Sequence, residues 1–272
     1  MDSRGITLVM DTTYPPLIDS HFHLRALEHK GIDVPALLTE MEETGTQGID
    51  VGLDYNDLGE RIERFGSRAN IRFAAGIGPW GLAEGQRPIR EQLDALMHQL
   101  DLNDAVAIGE IGLDNHWEYG SAERQEELLL LQMEAAETRG LPIIIHNREA
   151  DEQFLNILAD RTFSKRGIFH CYQGGEALAR LAIEKGFFIS FAGPLTYKAN
   201  RGMQALFSAL PLPSLLLETD SPYLSPVPLR GRTNTPLSMS HIYRFAARLR
   251  GMEDEAFTGA IADNYHRFLD QG

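Results

Sequence analysis

The feature that most constrains this chain is an alternation. Short apolar runs recur along it, and each is followed by a longer polar or amphipathic stretch. Eight runs read as strands. They end near His21 (LIDSHFH), Leu53 (GIDVGL), Gly76 (IRFAAG), Ile111 (AVAIGEI), His146 (PIIIH), His170 (GIFH), Phe191 (FFISF) and Thr219 (LLLET). Several are nearly unbroken Ile, Val, Leu and Phe, as expected of parallel strands buried on both faces. The clearest helix is SAERQEELLLLQMEAAETRG. Ser121 is its expected N-cap and Gly140 its expected C-cap, with Leu128, Leu131, Gln132 and Ala135 at helical spacing. DVPALLTEMEETG, IREQLDALMHQLD, EALARLAIEKG and LSMSHIYRFAARLRG also read as helices, and a last helix is expected from about Glu253 to Leu269. Eight β-then-α units fit a closed (β/α)8 barrel of class α/β better than a doubly wound sheet. The proline-rich segment SPYLSPVPLRGRTNTP follows the eighth run and is expected to loop over the barrel top. Residues 1–16 are expected to be a short flexible extension, and residues 17–272 a single barrel domain.

Composition narrows the partners. The net charge of −14 argues against wrapping duplex nucleic acid, which needs many Lys and Arg contacts to phosphate. It leaves room for a small phosphate-bearing substrate held through cations, which invert the local charge. No run of about 18 apolar residues is present, so no membrane span is expected. The opening residues carry Asp2 and Asp11 and lack an apolar core, so no secretory signal is expected. The single cysteine, Cys171, suits a reducing compartment, and a cytoplasmic location follows. No heptad or exposed apolar stripe points to a partner helix, which favours a monomer.

Four of the nine histidines, His21, His23, His146 and His170, stand at the expected C-terminal tips of strands. Glu110 ends the fourth run in AIGEIGLD, and Asp220 follows the eighth in LLLETD. In a barrel these tips converge on one face, where the chemistry occurs. In His21-x-His23 the period of a strand puts both imidazoles on one side. Imidazole with carboxylate suits Zn²⁺, Mn²⁺, Fe²⁺ or Co²⁺, with Mg²⁺ preferring more oxygen. Six donors exceed one tetrahedral ion but suit two, and a carboxylate such as Glu110 could bridge ions about 3.5–4 Å apart. His29, His98, His116, His241 and His266 fall in loops or helices and read as surface or packing residues.

DSHFHL, GEIGLD, IIIHNREA, FHCYQG, ISFAGPLTYKAN and ETDSPYLSPVPLRGRTNTP, in that order, resemble the successive motifs of TatD-family metal-dependent hydrolases. The resemblance implies a TIM barrel, divalent metal, and often removal of nucleotides from DNA 3′ ends. It implies that His21, His23 and Glu110 hold one ion with Asp220 beneath it, and that Glu110, His146 and His170 hold a second. The sequence departs from the family pattern where substrate is met. Gly78 stands where a His usually precedes Pro, and Asn115 replaces an aromatic after the GLD motif. Leu229 and Thr233 depart in the last loop, where Arg232 stands at a position commonly Lys.

The expected reaction is phosphodiester hydrolysis of the 3′–5′ exonuclease type. One or two divalent ions (Zn, Mn, Mg, Co or Fe) would activate a water, lowering its pKa from 15.7 to about 7. Asp220 is the expected general base and Glu110 the bridging carboxylate. Arg148, Arg232 and Lys198 are candidate phosphate contacts. Asp114 is expected to support the site, and Glu218 either orients a ligand imidazole or is a buried strand residue with a backbone partner. Cys171 reads as a small buried hydrophobe rather than a thiolate. Trp80 and Tyr223 either stack on a base or pack under a loop. The partner is expected to be a small phosphate-bearing molecule or a single-stranded DNA 3′ end. Alternatives are an amidohydrolase-type enzyme cutting C–O or C–N bonds, a phosphatase, or a barrel that binds without catalysis. Many amidohydrolases bridge their metals with a fourth-strand Lys, and none lies between Ala105 and Asp114.

Overall fold

A computed structural model describes residues 15–270 apart from residue 67. Most of the expected N-terminal extension, residues 1–14, lies outside the described residues. Among these, eight strands form one parallel sheet in sequence order. They are β1 (Ile18–Phe22), β2 (Gln47–Val51), β3 (Ile71–Ala75), β4 (Ala107–Asp114), β5 (Ile143–Arg148), β6 (Ile168–Phe169), β7 (Phe188–Phe191) and β8 (Leu215–Leu217). Beyond β8 the chain runs back along β1: the Asp220 amide donates to His21 O at 2.9 Å, and the His23 amide donates to Ser221 O at 2.9 Å. A parallel bridge between Phe22 and Ser221 completes this seam. The (β/α)8 barrel read from the alternation is thus the observed fold. Burial on both faces explains why the strands are so apolar; every residue of β1, β4, β7 and β8 is buried.

The helices are α1 (Leu24–His29), α2 (Val34–Glu43), α3 (Leu58–Phe65), α4 (Ile89–Leu102), α5 (Ala122–Arg139), α6 (Asp151–Ala159), α7 (Glu176–Glu184), α8 (Arg201–Ala209), α9 (Met239–Arg250) and α10 (Asp254–Leu269). α5 begins where expected, with the Ser121 side chain accepting from the Arg124 amide at 3.4 Å. It ends at Gly140 in the left-handed conformation, φ 64°, which a residue with a Cβ adopts only with strain.

The buried face of α5 differs from the expected one. Gln125, Leu128, Leu129, Gln132, Met133 and Ala136 face inward, while Leu131 is 40% exposed. Four consecutive leucines leave the phase of a helix open, and two glutamines settle it. Gln132 accepts from the Ile77 amide at 2.7 Å and donates to Ile77 O at 2.9 Å. Gln125 accepts from the Asp114 amide at 2.8 Å and donates to Asp114 O at 3.0 Å. Ile77 follows β3 and Asp114 closes β4, so α5 is indexed on the backbone at the ends of these two strands.

β4 also runs further than read. It continues past Glu110 to Asp114, with a register irregularity between Gly109 and Ile111. The proline-rich segment forms the expected non-helical loop. Buried Asn234 staples it, donating to Thr219 O at 2.9 Å and Tyr223 O at 2.7 Å.

Candidate metal centre

The barrel delivers the six expected donors to one place. His21 Nε2 lies 3.2 Å from His23 Nε2, and Asp220 Oδ1 lies 3.4 Å from His23 Nε2 and 4.0 Å from His21 Nε2. On the other side, Glu110 Oε1 lies 2.7 Å from His146 Nδ1 and 2.8 Å from His170 Nε2. The second Glu110 oxygen, Oε2, faces His21 Nε2 at 3.4 Å. His21, His23 and Asp220 therefore form one trio and Glu110, His146 and His170 another, the donor atoms of each lying within 4.8 Å of one another. Glu110 touches both.

The outer nitrogens show how the rings are aimed. His23 Nδ1 bonds Val51 O at 2.8 Å, which leaves Nε2 for the cluster. His170 Nδ1 lies 3.3 Å from Glu218 Oε1, an oxygen that also accepts from the Cys171 amide at 2.7 Å. His146 Nε2 lies 3.0 Å from Asp114 Oδ2, which frees Nδ1 for Glu110. The other Asp114 oxygen accepts from the His116 and Trp117 amides at 2.9 and 3.0 Å. A carboxylate or carbonyl behind each ring fixes tautomer and orientation, as metal-binding imidazoles require. His21 is the exception; its Nδ1 is buried with no partner.

Charge is stored here at close quarters. Burial pushes the Glu110 carboxyl up, but His170, His146 and His21 outweigh it and hold the group well below the usual carboxylate range. Burial likewise opposes ionisation of Asp220, yet His23, His170 and His21 hold it down. Burial lowers His21. His23, His146 and His170 rise despite burial, because Asp220, Asp114, Glu110 and Glu218 face them. The imidazoles and the carboxylates they face thus favour one another's charged forms, the balance that divalent cations would supply in such a site. The donor set fits one or two divalent ions in imidazole and carboxylate number, in separation, and in the support behind the rings.

The centre forms the floor of a mouth of about 1270 Å³. His23, Glu110, His146, His170 and Asp220 open into it. Arg148 reaches it, stacked over the Trp117 ring at 5.7 Å. The structure does not bring all the expected phosphate contacts there: Lys198 and Arg232 are exposed and are not among the residues lining the mouth. Cys171 lines it too, rather than packing in the core, and burial beside Asp220, Glu218 and Glu110 pushes its thiol well up. Trp117 and Tyr119, which the sequence reading passed over, join Trp80 and Tyr223 around the mouth. Among the described residues, the four non-glycine residues with left-handed backbone, Glu149, Cys171, Asp220 and Leu224, all line it. Such strain is usually tolerated where function holds it in place.

Fold and donor set together define a barrel that gathers candidate metal ligands at its strand tips. The chain belongs to the family described as TatD related DNase, which matches residues 18–270, and it shares that family's metal-dependent hydrolase character. It is 32% identical to the metal-dependent hydrolase YabD of Bacillus subtilis, over 93% of this chain and 98% of that one. It is 31% identical to a Shigella flexneri protein named 3′-5′ ssDNA/RNA exonuclease TatD, over 70% of this chain and 74% of that one. The crystal structure of the Escherichia coli TatD homologue YjjV superposes with a TM-score of 0.85 at 25% identity, covering 93% and 98% of the two chains. No helix among the described residues is long and apolar enough to cross a membrane.

Proposed function

We propose that this protein hydrolyses phosphodiester bonds at the 3′ end of single-stranded nucleic acid. The observation that carries the reading is the pair of donor trios at the floor of a wide mouth, with Glu110 of one touching His21 of the other. His21, His23 and Asp220 would hold one ion and His146 and His170 the other, with Glu110 between them. When bound, such ions supply Lewis acidity, polarising a phosphoryl oxygen and acidifying a water. Arg148 reaches the mouth and offers two parallel N–H donors to a phosphate. Asp220 takes the proton from the attacking water, whose oxygen bonds to phosphorus. The bond from phosphorus to the 3′ oxygen of the preceding nucleotide breaks, that oxygen gains a proton, and a 5′-mononucleotide leaves. Asp114 and Glu218 keep His146 and His170 aimed throughout. The relative named as a 3′-5′ ssDNA/RNA exonuclease supports the substrate class. The net charge of −14 favours a strand end over a wrapped duplex.

The test is release of mononucleotides from a 3′-labelled single-stranded oligonucleotide, with protein stripped of metal and then reloaded with Mg²⁺ or Mn²⁺. Asp220→Asn is expected to slow release by about 10²-fold or more. Activity undiminished by chelation, or turnover restricted to amides and lactones, would overturn the reading.

A further inference from the structure

The strongest unassigned feature beside the metal centre is a tryptophan seated on a glycine. The Trp80 indole lies directly over Gly78: a Cβ built at position 78 would stand 2.3 Å from Cη2 and Cζ2 of the ring. No side chain fits at 78 while the indole holds this place. The same edge of the ring is also tethered, because Nε1–H donates to Leu53 O at 2.9 Å. The segment carrying it is anchored on both flanks. Gln132 pairs with both backbone groups of Ile77, and Gln92 donates to Gly81 O at 2.7 Å. Those two glutamines are buried on different helices, α5 and α4. Three hydrogen bonds with these glutamines fix the turn, and the bond to Leu53 fixes the indole it carries.

The indole stands where it would matter. It is half-buried, lines the mouth, and meets the His146 ring nearly perpendicular, at 5.9 Å between centroids. A group bound through phosphate at the Glu110–His146–His170 trio therefore has an aromatic wall beside it. Trp117, Tyr119 and Tyr223 add further aromatic surface around the same mouth. An indole face held in place stacks on any of the four bases, because each presents a π-face.

We infer that Trp80 is the stacking platform for the base of the terminal nucleotide, and that Gly78 is there to let the indole take that place. The inference rests on the nucleic-acid reading of the mouth and narrows it: the terminal base is recognised by its face, with little preference among the four bases.

Two experiments test it. The chain has two tryptophans, so Trp117→Phe leaves Trp80 as the sole indole fluorophore. Titration of this variant in Mg²⁺ with deoxyadenosine or thymidine 5′-monophosphate is expected to give saturable quenching, while deoxyribose 5-phosphate gives none. Equal quenching by the sugar phosphate, or no quenching by either nucleotide, would overturn the platform. In kinetics, Trp80→Ala is expected to raise KM about tenfold for an oligonucleotide with an ordinary 3′ terminus, with kcat unchanged. KM for an oligonucleotide ending in an abasic unit should not move. Gly78→Ala, which displaces the ring, should shift KM in the same direction and add nothing to Trp80→Ala. A Trp80→Ala defect equal on both substrates would mean a structural role and refute the inference. Quenching without hydrolysis would sink the exonuclease reading but keep the platform; hydrolysis without quenching would do the reverse.

Discussion

Replacing Arg61 by Met removes a buried cation held by four hydrogen bonds. Arg61 lies on α3 with its side chain 1% exposed. It binds Asp50 Oδ2 at 2.8 Å, Asp57 Oδ1 at 2.7 Å, Asp50 O at 3.1 Å and Ala74 O at 2.8 Å. Burial works against its charge, but Asp50 and Asp57 outweigh it and push the guanidinium up. Methionine fills much of the volume and supplies none of the donors. Asp57 is half-buried and can turn to water, whereas Asp50 is fully buried and cannot. Losing one partner of a buried pair costs about 3–5 kcal/mol. Asp50 keeps one donor, the Leu24 amide at 2.7 Å, which argues for the lower end. For a chain of this size about 3 kcal/mol corresponds to a fall in Tm of about 6–12 °C. Calorimetric melting of metal-free protein measures it. The double variant Arg61→Met/Asp50→Asn keeps an acceptor for Leu24 and removes the stranded charge, so it should recover more than half of the loss. A single variant within about 1 kcal/mol of the parent, or a double variant no better than the single, would refute the argument that charge burial sets the cost.

Two further outcomes follow from the centre. Raised histidines (His23, His146, His170) stabilise the metal-free fold fully below their unfolded pKa of about 6.5, and that support is lost as pH rises through their folded values. Lowered Glu110 and Asp220 stabilise it above about pH 4–4.5 and lose that support in acid. Metal-free Tm should thus peak between about pH 4.5 and 6.5, and the stabilisation given by added Zn²⁺ or Mn²⁺ should grow with pH as protons cease to compete; a metal-free Tm still climbing at pH 8 would contradict this. Asp114→Asn should weaken binding of the ion beside His146 by about 10–100-fold while leaving the fold intact, as read by titration calorimetry, and an unchanged affinity would show that Asp114 does not orient the ring.

How much of this was legible in the sequence depends on range. The strands were, because each is buried along its own length and its apolar residues announce that. The donors were, because a histidine or acid closing an apolar strand is a local pattern, and a barrel gathers such tips wherever they fall in the chain. The extension of β4 to Asp114 was hidden by Gly112, which reads as the end of a strand. The buried face of α5 has no local signal, because the backbone groups that claim Gln125 and Gln132 lie on other parts of the chain. The bond of Arg61 to Asp50 joins α3 to β2 and leaves no periodic trace. Lys198 and Arg232 belong to motifs of the right kind, but motif membership does not say which way a loop side chain turns. Trp117 and Tyr119 follow β4 in a stretch with no period, so only the fold could place them.

The seam between β1 and β8 leaves its mark on how the centre comes into being. Glu110, His146 and His170 are all in the chain by residue 170, whereas the other trio waits for Asp220, whose amide is itself part of the join to His21. During synthesis one of the two candidate donor trios precedes the last stave of the barrel, and the other is complete only with it. Occupancy of both trios would thereby certify that the ring has shut.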